Sequence, residues 1–218
     1  MTNVIFVRHG ESESNVFIHN DPLDPKLSEK VFAIGDPLLS VKGHLQAVDV
    51  SNYLIKQLGG KKVRVLTSLF TRTIQTSQPF YDSYKDNIEI YEHTKLLCEY
   101  TKPLHQLNDE HLAKGIQHHN NWKEFTNQIE DCVDLLENLT QCSDSPIIVF
   151  GHSLFISVMI SYLGSYKNFI PEKHQLSFRF PNCSITSLHY NQGNWEIYNV
   201  ASIAHLSYTN VTGNGFSF

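Results

Sequence analysis

Short apolar runs alternate along the chain with segments whose apolar residues recur at helical spacing. Residues 4–7 run into Arg8-His9-Gly10, residues 63–66 into Thr67-Ser68, and residues 147–150 into Gly151-His152-Ser153. Each predicts a buried strand closed by polar residues. Between the first two, residues 40–58 carry a helical period through Val41, Leu45, Val48, Tyr53, Leu54 and Leu58, with Ser40 as N-cap and Gly59-Gly60 as stop. Further helices are predicted over residues 68–84 with Ser68 as N-cap, over 122–139 with Phe125, Ile129, Val133, Leu136 and Leu139 on one face, and over 153–163. Residues 184–190 and 195–200, separated by Asn191-Gln192-Gly193-Asn194, predict a closing hairpin. Residues 17–36 and 101–121 are polar, proline-containing or histidine-rich with weak periodicity, and are expected as excursions above the sheet.

Strands alternating with helices predict an α/β fold: a three-layer sandwich with a mostly parallel central sheet, flanking helices and a small lid of insertions. A length of 218 residues suits one domain spanning 1–218. Ligands of open α/β sheets bind beyond the carboxyl ends of the strands, so three polar tripeptides at three strand ends mark a functional edge.

Composition narrows the function. With 41% hydrophobic and 18% charged residues the chain is expected to be folded, and a net charge of −5 argues against a nucleic-acid partner or an anionic membrane surface. Basic residues divide into 13 lysines and only four arginines: Arg8, Arg64, Arg72 and Arg179. The start of the chain shows no secretory leader, and Cys98, Cys132, Cys142 and Cys183 share no C-x-x-C spacing, which together predict reduced thiols and a cytoplasmic protein. Residues 147–163 are apolar but contain Gly151, His152 and several serines and fall short of about 20 residues, so a strand followed by a helix is expected rather than a membrane span.

The chemistry concentrates at the strand ends. Arg8 beside His9 suits an imidazole held against a phosphate, with Gly10 admitting a close backbone approach to the ligand. Ser68 and Arg72 are expected on one side of a helix start whose free N–H groups favour anions. His152 stands at another strand-to-helix turn with the helix dipole aimed outward. Gly151-His152-Ser153-Leu154-Phe155 lacks the second glycine of a serine-hydrolase elbow. His105, His111, His118 and His119 match no zinc spacing and are expected as lid or loop residues.

Taken together, Arg8-His9-Gly10-Glu11, Asp36-Pro37-Leu38-Leu39-Ser40-x-x-Gly43, Thr67-Ser68 to Arg72 with Gln75-Thr76, Leu97-Cys98-Glu99, Gly151-His152-Ser153, Asn182-Cys183-Ser184-Ile185 and the segment from Asn199 to His205-Leu206 resemble the histidine phosphatase superfamily, which includes cofactor-dependent phosphoglycerate mutases. The blocks arrive in family order over nearly the whole chain. The resemblance implies His9 as phosphoryl-accepting nucleophile and Glu99 as general acid. Arg8, Arg72, His152 and Asn15 would form the phosphate pocket, with Ser153 in place of the usual glycine. It implies no metal and no cofactor, and a small phosphorylated substrate such as a sugar phosphate, a phosphoglycerate or a phosphoprotein. Three activities follow from it: phosphomonoester hydrolysis, phosphoglycerate mutation, or silent binding of phosphorylated ligands. After Glu99, Tyr100-Thr101-Lys102-Pro103-Leu104-His105 lacks the elements of the glycolytic mutases, which favours hydrolysis, and an intact proton donor argues against a silent binder.

Overall fold

The computed structural model describes residues 2–21, 23–101, 107–164 and 180–212. Strands β1 (Thr2–Arg8), β2 (Val63–Ser68), β3 (Ile88–Thr94), β4 (Ile147–Gly151), β5 (Ile185–Asn191) and β6 (Asn194–Ser202) form one sheet in the order β3-β2-β4-β1-β5-β6. The described helices are α1 (Glu13–Asn20), α2 (Leu27–Ile34), α3 (Val41–Leu58), α4 (Thr71–Tyr84), α5 (Asp109–Ala113), α6 (Trp122–Cys142) and α7 (Ser153–Gly164). β3, β2, β4 and β1 pair in parallel, while β5 runs antiparallel to both β1 and β6, so the sheet is mixed.

Strand alternation divides the core. Val4, Phe6, Ile147 and Val149 face α6 and α7, whereas Val7, Ile148 and Phe150 face α3 and α4. A parallel strand buried on both faces needs apolar residues at consecutive positions, which is why the predicted runs contain no alternation. Arg64 interrupts β2 yet is buried, because its guanidinium reaches the carbonyls of Leu139, Ser143 (2.9 Å) and Ser145 around the C-terminal end of α6. Those carbonyls lack helical partners and carry the negative end of the helix dipole, so a cation there is compensated. Arg179 lies outside the described residues.

Several expectations are corrected. The weakly periodic region 17–36 contains the second half of α1 and all of α2. α1 starts from a capping box in which Ser12 Oγ accepts from Asn15 N and Asn15 Oδ1 accepts from Ser12 N. β3 has no counterpart in the predicted elements. It is an edge strand with charged Glu89 and Glu92 exposed, a pattern that protects a sheet edge and hides it from an apolar-run reading. Ser68 does not cap a helix: it is the last residue of β2, and α4 begins three residues later at Thr71.

α3 forms with the predicted Ser40 cap and Gly59 stop, but only part of its apolar period packs. Val41, Leu45 and Val48 are 83%, 52% and 45% exposed, while Gly43, Gln46, Ala47, Val50, Leu54 and Leu58 are buried. This choice of face follows from the polar contacts of the inward face. A Cβ on Gly10 would stand 2.6 Å from the Gly43 carbonyl oxygen, and one on Gly43 would stand 2.1 Å from that of Glu11. Gln46 Oε1 accepts from Glu11 N at 2.7 Å. Gly10 therefore allows close approach of α3, where the sequence suggested approach of a ligand. Urea denaturation should find that Leu54→Ala costs about 2–5 kcal/mol, while Leu45→Ala changes stability by less than about 0.5 kcal/mol; equal losses at the two positions would contradict this packing.

Candidate active site

The register of the sheet brings the predicted residues together. β1 and β4 pair from Val4 with Ile147 to Arg8 with Gly151, so the turns carrying His9 and His152 leave the sheet side by side. β2 pairs with β4 up to Thr67 and Phe150, which delivers Ser68 and then Arg72 to the same edge. The His9 and His152 rings lie 5.3 Å apart, and Arg8, His9, Arg72 and His152 are all buried.

Each group is fixed by identifiable partners. The backbone of His9 donates to Gly151 O at 2.9 Å and accepts at its carbonyl from Cys183 N and Asn182 Nδ2, both at 3.2 Å. Cys183 adopts a left-handed φ of 53° to present that N–H, a conformation costing a side-chain-bearing residue about 1–2 kcal/mol. His9 Nδ1 donates to Gly10 O at 2.7 Å, since a carbonyl can only accept, and a neutral ring thus keeps its lone pair at Nε2. In His152 the tautomer is reversed in role. Arg72 can only donate to Nδ1 (3.1 Å), so Nε2–H donates to Ser68 Oγ at 2.8 Å. Ser68 Oγ in turn donates to Cys98 Sγ and accepts from Phe70 N.

Burial lowers the pKa of both histidines well below the ordinary value, and the positive charges of Arg72 and Arg8 push in the same direction. Burial also lowers Arg8 to about 10, opposed by Glu99, which leaves it charged at neutral pH. Arg8 donates to Phe180 O, while its buried Nε–H has no acceptor among the described residues. The Arg72 guanidinium lies 4.3 Å above the Phe70 ring, with a terminal nitrogen 3.7 Å from Asp36.

Glu99 is half-buried beside the start of α7. Its carboxylate accepts from Leu154 N (3.2 Å), Phe155 N (3.0 Å) and Tyr100 N (3.2 Å). Burial raises its pKa, against the opposing effect of Arg72 and these N–H groups. Glu99 thus takes up N–H groups at the start of α7, where the sequence predicted an outward-aimed helix dipole, and Ser153 is the first, half-buried residue of that helix. Asn15 sits at the rim, its Oδ1 engaged by Ser12 N and by Asn182 Nδ2 at 2.9 Å.

Asp36 and Asn182, quoted in the sequence only within longer blocks, prove to brace the site. Asp36 accepts from Thr71 N and Oγ1 at the start of α4. Their carboxylate and amide side chains act across 35 and 173 residues respectively, a separation that no local pattern reveals. Of the lid-region histidines, His105 lies outside the described residues. His111 is buried on α5 with Nε2 3.8 Å from Asp36, and His119 is buried between Thr101 N and Gln128, bracing the chain just after Glu99. Among the described residues no group of three or more His, Cys, Asp or Glu side chains is placed to hold a metal ion, and no helix is long and apolar enough to cross a membrane.

Two buried guanidinium groups, two imidazoles with lowered pKa and one carboxyl with a raised pKa thus meet at one edge of an α/β sheet, a concentration of perturbed groups typical of a functional site. The chain belongs to the histidine phosphatase superfamily (branch 1), whose family model matches residues 4–202. Comparison with curated proteins finds no match. Among solved structures it is similar to phosphoserine phosphatase from Entamoeba histolytica in complex with 3-phosphoglyceric acid, at 20% identity over 95% of this chain and 100% of that one with a TM-score of 0.60. It is also similar to phosphoglycerate mutase from Bacillus anthracis (17% identity, 94% of each chain, TM-score 0.65) and to alpha-ribazole phosphatase from Shigella flexneri (16% identity, 92% and 96%, TM-score 0.66). At these identities the likeness is one of fold.

A histidine whose folded-state pKa is lowered contributes stability that is complete above its unfolded value near 6.5 and is lost as pH falls toward the folded value. Stability in urea should therefore decline below about pH 6.5, less steeply in His9→Gln and His152→Gln, and imidazole ¹⁵N shifts should show both rings still neutral at about pH 6. A ring that charges at its ordinary value would contradict the assigned environment.

Proposed function

We propose that this protein is a metal-independent phosphomonoesterase that acts through a phosphohistidine at His9, with Glu99 as general acid. The observation that carries the reading is His9 itself: with Nδ1 tied to Gly10 O, the neutral ring offers Nε2 as nucleophile beside the buried charges of Arg8 and Arg72. In the first step Nε2 attacks phosphorus, the ester P–O bond breaks, and Glu99 gives its proton to the departing oxygen. In the second step water attacks the phosphohistidine, Glu99 takes up a proton, and inorganic phosphate leaves. Charge on the equatorial oxygens is stabilised by Arg8, Arg72 and the N–H groups around them, which are in place before reaction and need no reorganisation. Arg8, Arg72, His152, Asn15 and Ser153 are the proposed phosphate pocket.

Rapid quenching with a ³²P-labelled monoester should trap a phosphoenzyme that is labile to acid and stable to base, absent in His9→Ala. Unchanged turnover in His9→Ala would overturn the mechanism, and loss of activity on adding EDTA would overturn its metal independence. With 3-phosphoglycerate, release of phosphate supports hydrolysis, whereas clean conversion to 2-phosphoglycerate would make the protein a mutase. Glu99→Gln should lower kcat about 10²–10⁴-fold on an alkyl phosphate, and much less on p-nitrophenyl phosphate, whose leaving group needs little protonation. Equal losses on the two substrates would remove Glu99 from the role of acid.

A further inference from the structure

We propose that Asp36 is a positioning residue that fixes the Arg72 guanidinium without consuming the donors a phosphate requires; this rests on the reading of Arg72 as a phosphate ligand. Three contacts determine the plane and rotation of that guanidinium. Phe70 lies beneath it at 4.3 Å, His152 Nδ1 accepts from one terminal nitrogen at 3.1 Å, and Asp36 Oδ1 faces the other at 3.7 Å. The first two leave the fork free to slide over the ring, and a negative charge at the far nitrogen removes that freedom.

The distance is the informative quantity. At 3.7 Å Asp36 lies within range of charge attraction but beyond a hydrogen bond, so the Arg72 N–H groups on that side are not spent on it. The Asp36 hydrogen bonds go elsewhere: Oδ1 and Oδ2 accept from Thr71 N at 2.9 and 3.0 Å, and Oδ2 accepts from Thr71 Oγ1 at 2.7 Å. Anchored on the residue immediately before Arg72, the carboxylate cannot follow the guanidinium and close the gap. Local sequence supports this placement. Gly35 turns the chain out of α2 at a φ of 66°, and Asp36 lies in the bend that follows, where Pro37 disfavours continued helix.

Asp36 also gathers the segments around the pocket. His111 Nδ1 accepts from Asn108 N at 3.1 Å, so in the neutral ring the proton sits on Nε2, which faces Asp36 Oδ2 at 3.8 Å. One enclosed carboxylate thus serves the end of α2, the start of α4 and the inserted helix α5. A residue with only a capping role would act on α4 alone.

The test is a double-mutant cycle on hydrolysis of p-nitrophenyl phosphate. Asp36→Asn keeps an acceptor for Thr71 and removes the charge. It should lower kcat/KM at least tenfold in the native background and less than twofold in Arg72→Ala, because Asp36 acts through Arg72. A loss of the same size in both backgrounds, or no loss in the native one, would overturn the proposal. If Asp36→Asn does not fold, Thr71→Val loosens the same anchor while keeping the charge, and its smaller loss should likewise vanish without Arg72; persistence of that loss would overturn the proposal too. An Arg72→Ala protein with native kcat/KM would instead overturn the phosphatase reading on which this inference rests.

Discussion

Two guanidinium groups, of Arg8 and Arg72, are buried at one edge of the sheet, and most of the surrounding structure answers that constraint. Burial works against the charges of both Arg8 and Arg72, and the charge of Arg72 adds to it at Arg8. The fold offsets this by bringing two carboxyl groups from distant parts of the chain, Asp36 to Arg72 and Glu99 between the arginines and α7. The same field and the same burial keep His9 and His152 neutral, the state in which His152 Nδ1 can accept from Arg72. It also opposes the effect of burial on Glu99, whose pKa nevertheless lies above the ordinary carboxyl value. Charge state and position are therefore set by one arrangement.

That arrangement is held by backbone more than by side chains. The carbonyl and N–H of His9 are engaged by β4 and by the strap at Asn182 and Cys183, and the following turn is pressed against α3 where Gly10 and Gly43 leave no room for a Cβ. The His9 side chain is thereby mounted on rigid backbone, and the left-handed Cys183 is the local cost of that rigidity.

The ends of β1, β2 and β4 and the family membership were legible in the sequence, because buried parallel strands favour apolar runs and the family's motif blocks sit directly after them. Arg8, His9, Arg72 and His152 could be named from those blocks, and the structure gathers all four. Which face of α3 packs was not legible from its apolar period, because Val41, Leu45 and Val48 stay exposed and the packed face is chosen by Gly43 and Gln46 against the Gly10 turn. Ser68 was misassigned for a related reason. A serine before a helical period is an ordinary cap, but here the strand continues through it and its hydroxyl is taken by His152.

The sequence by itself determined which chemical groups occupy the edge of the sheet and in what order the chain supplies them, since strand periodicity and the residues after each strand are local properties. Only the tertiary structure decided how those groups are oriented and charged. The Asp36 clamp on Arg72, the Glu99 seat on the α7 N-terminus and the His152 tautomer each join residues far apart in the chain, whereas the His9 tautomer rests on the neighbouring Gly10 carbonyl and only its burial is tertiary. Hydrogen-bond partners and burial fix those properties, and both arise only when the sheet register sets the strand ends side by side.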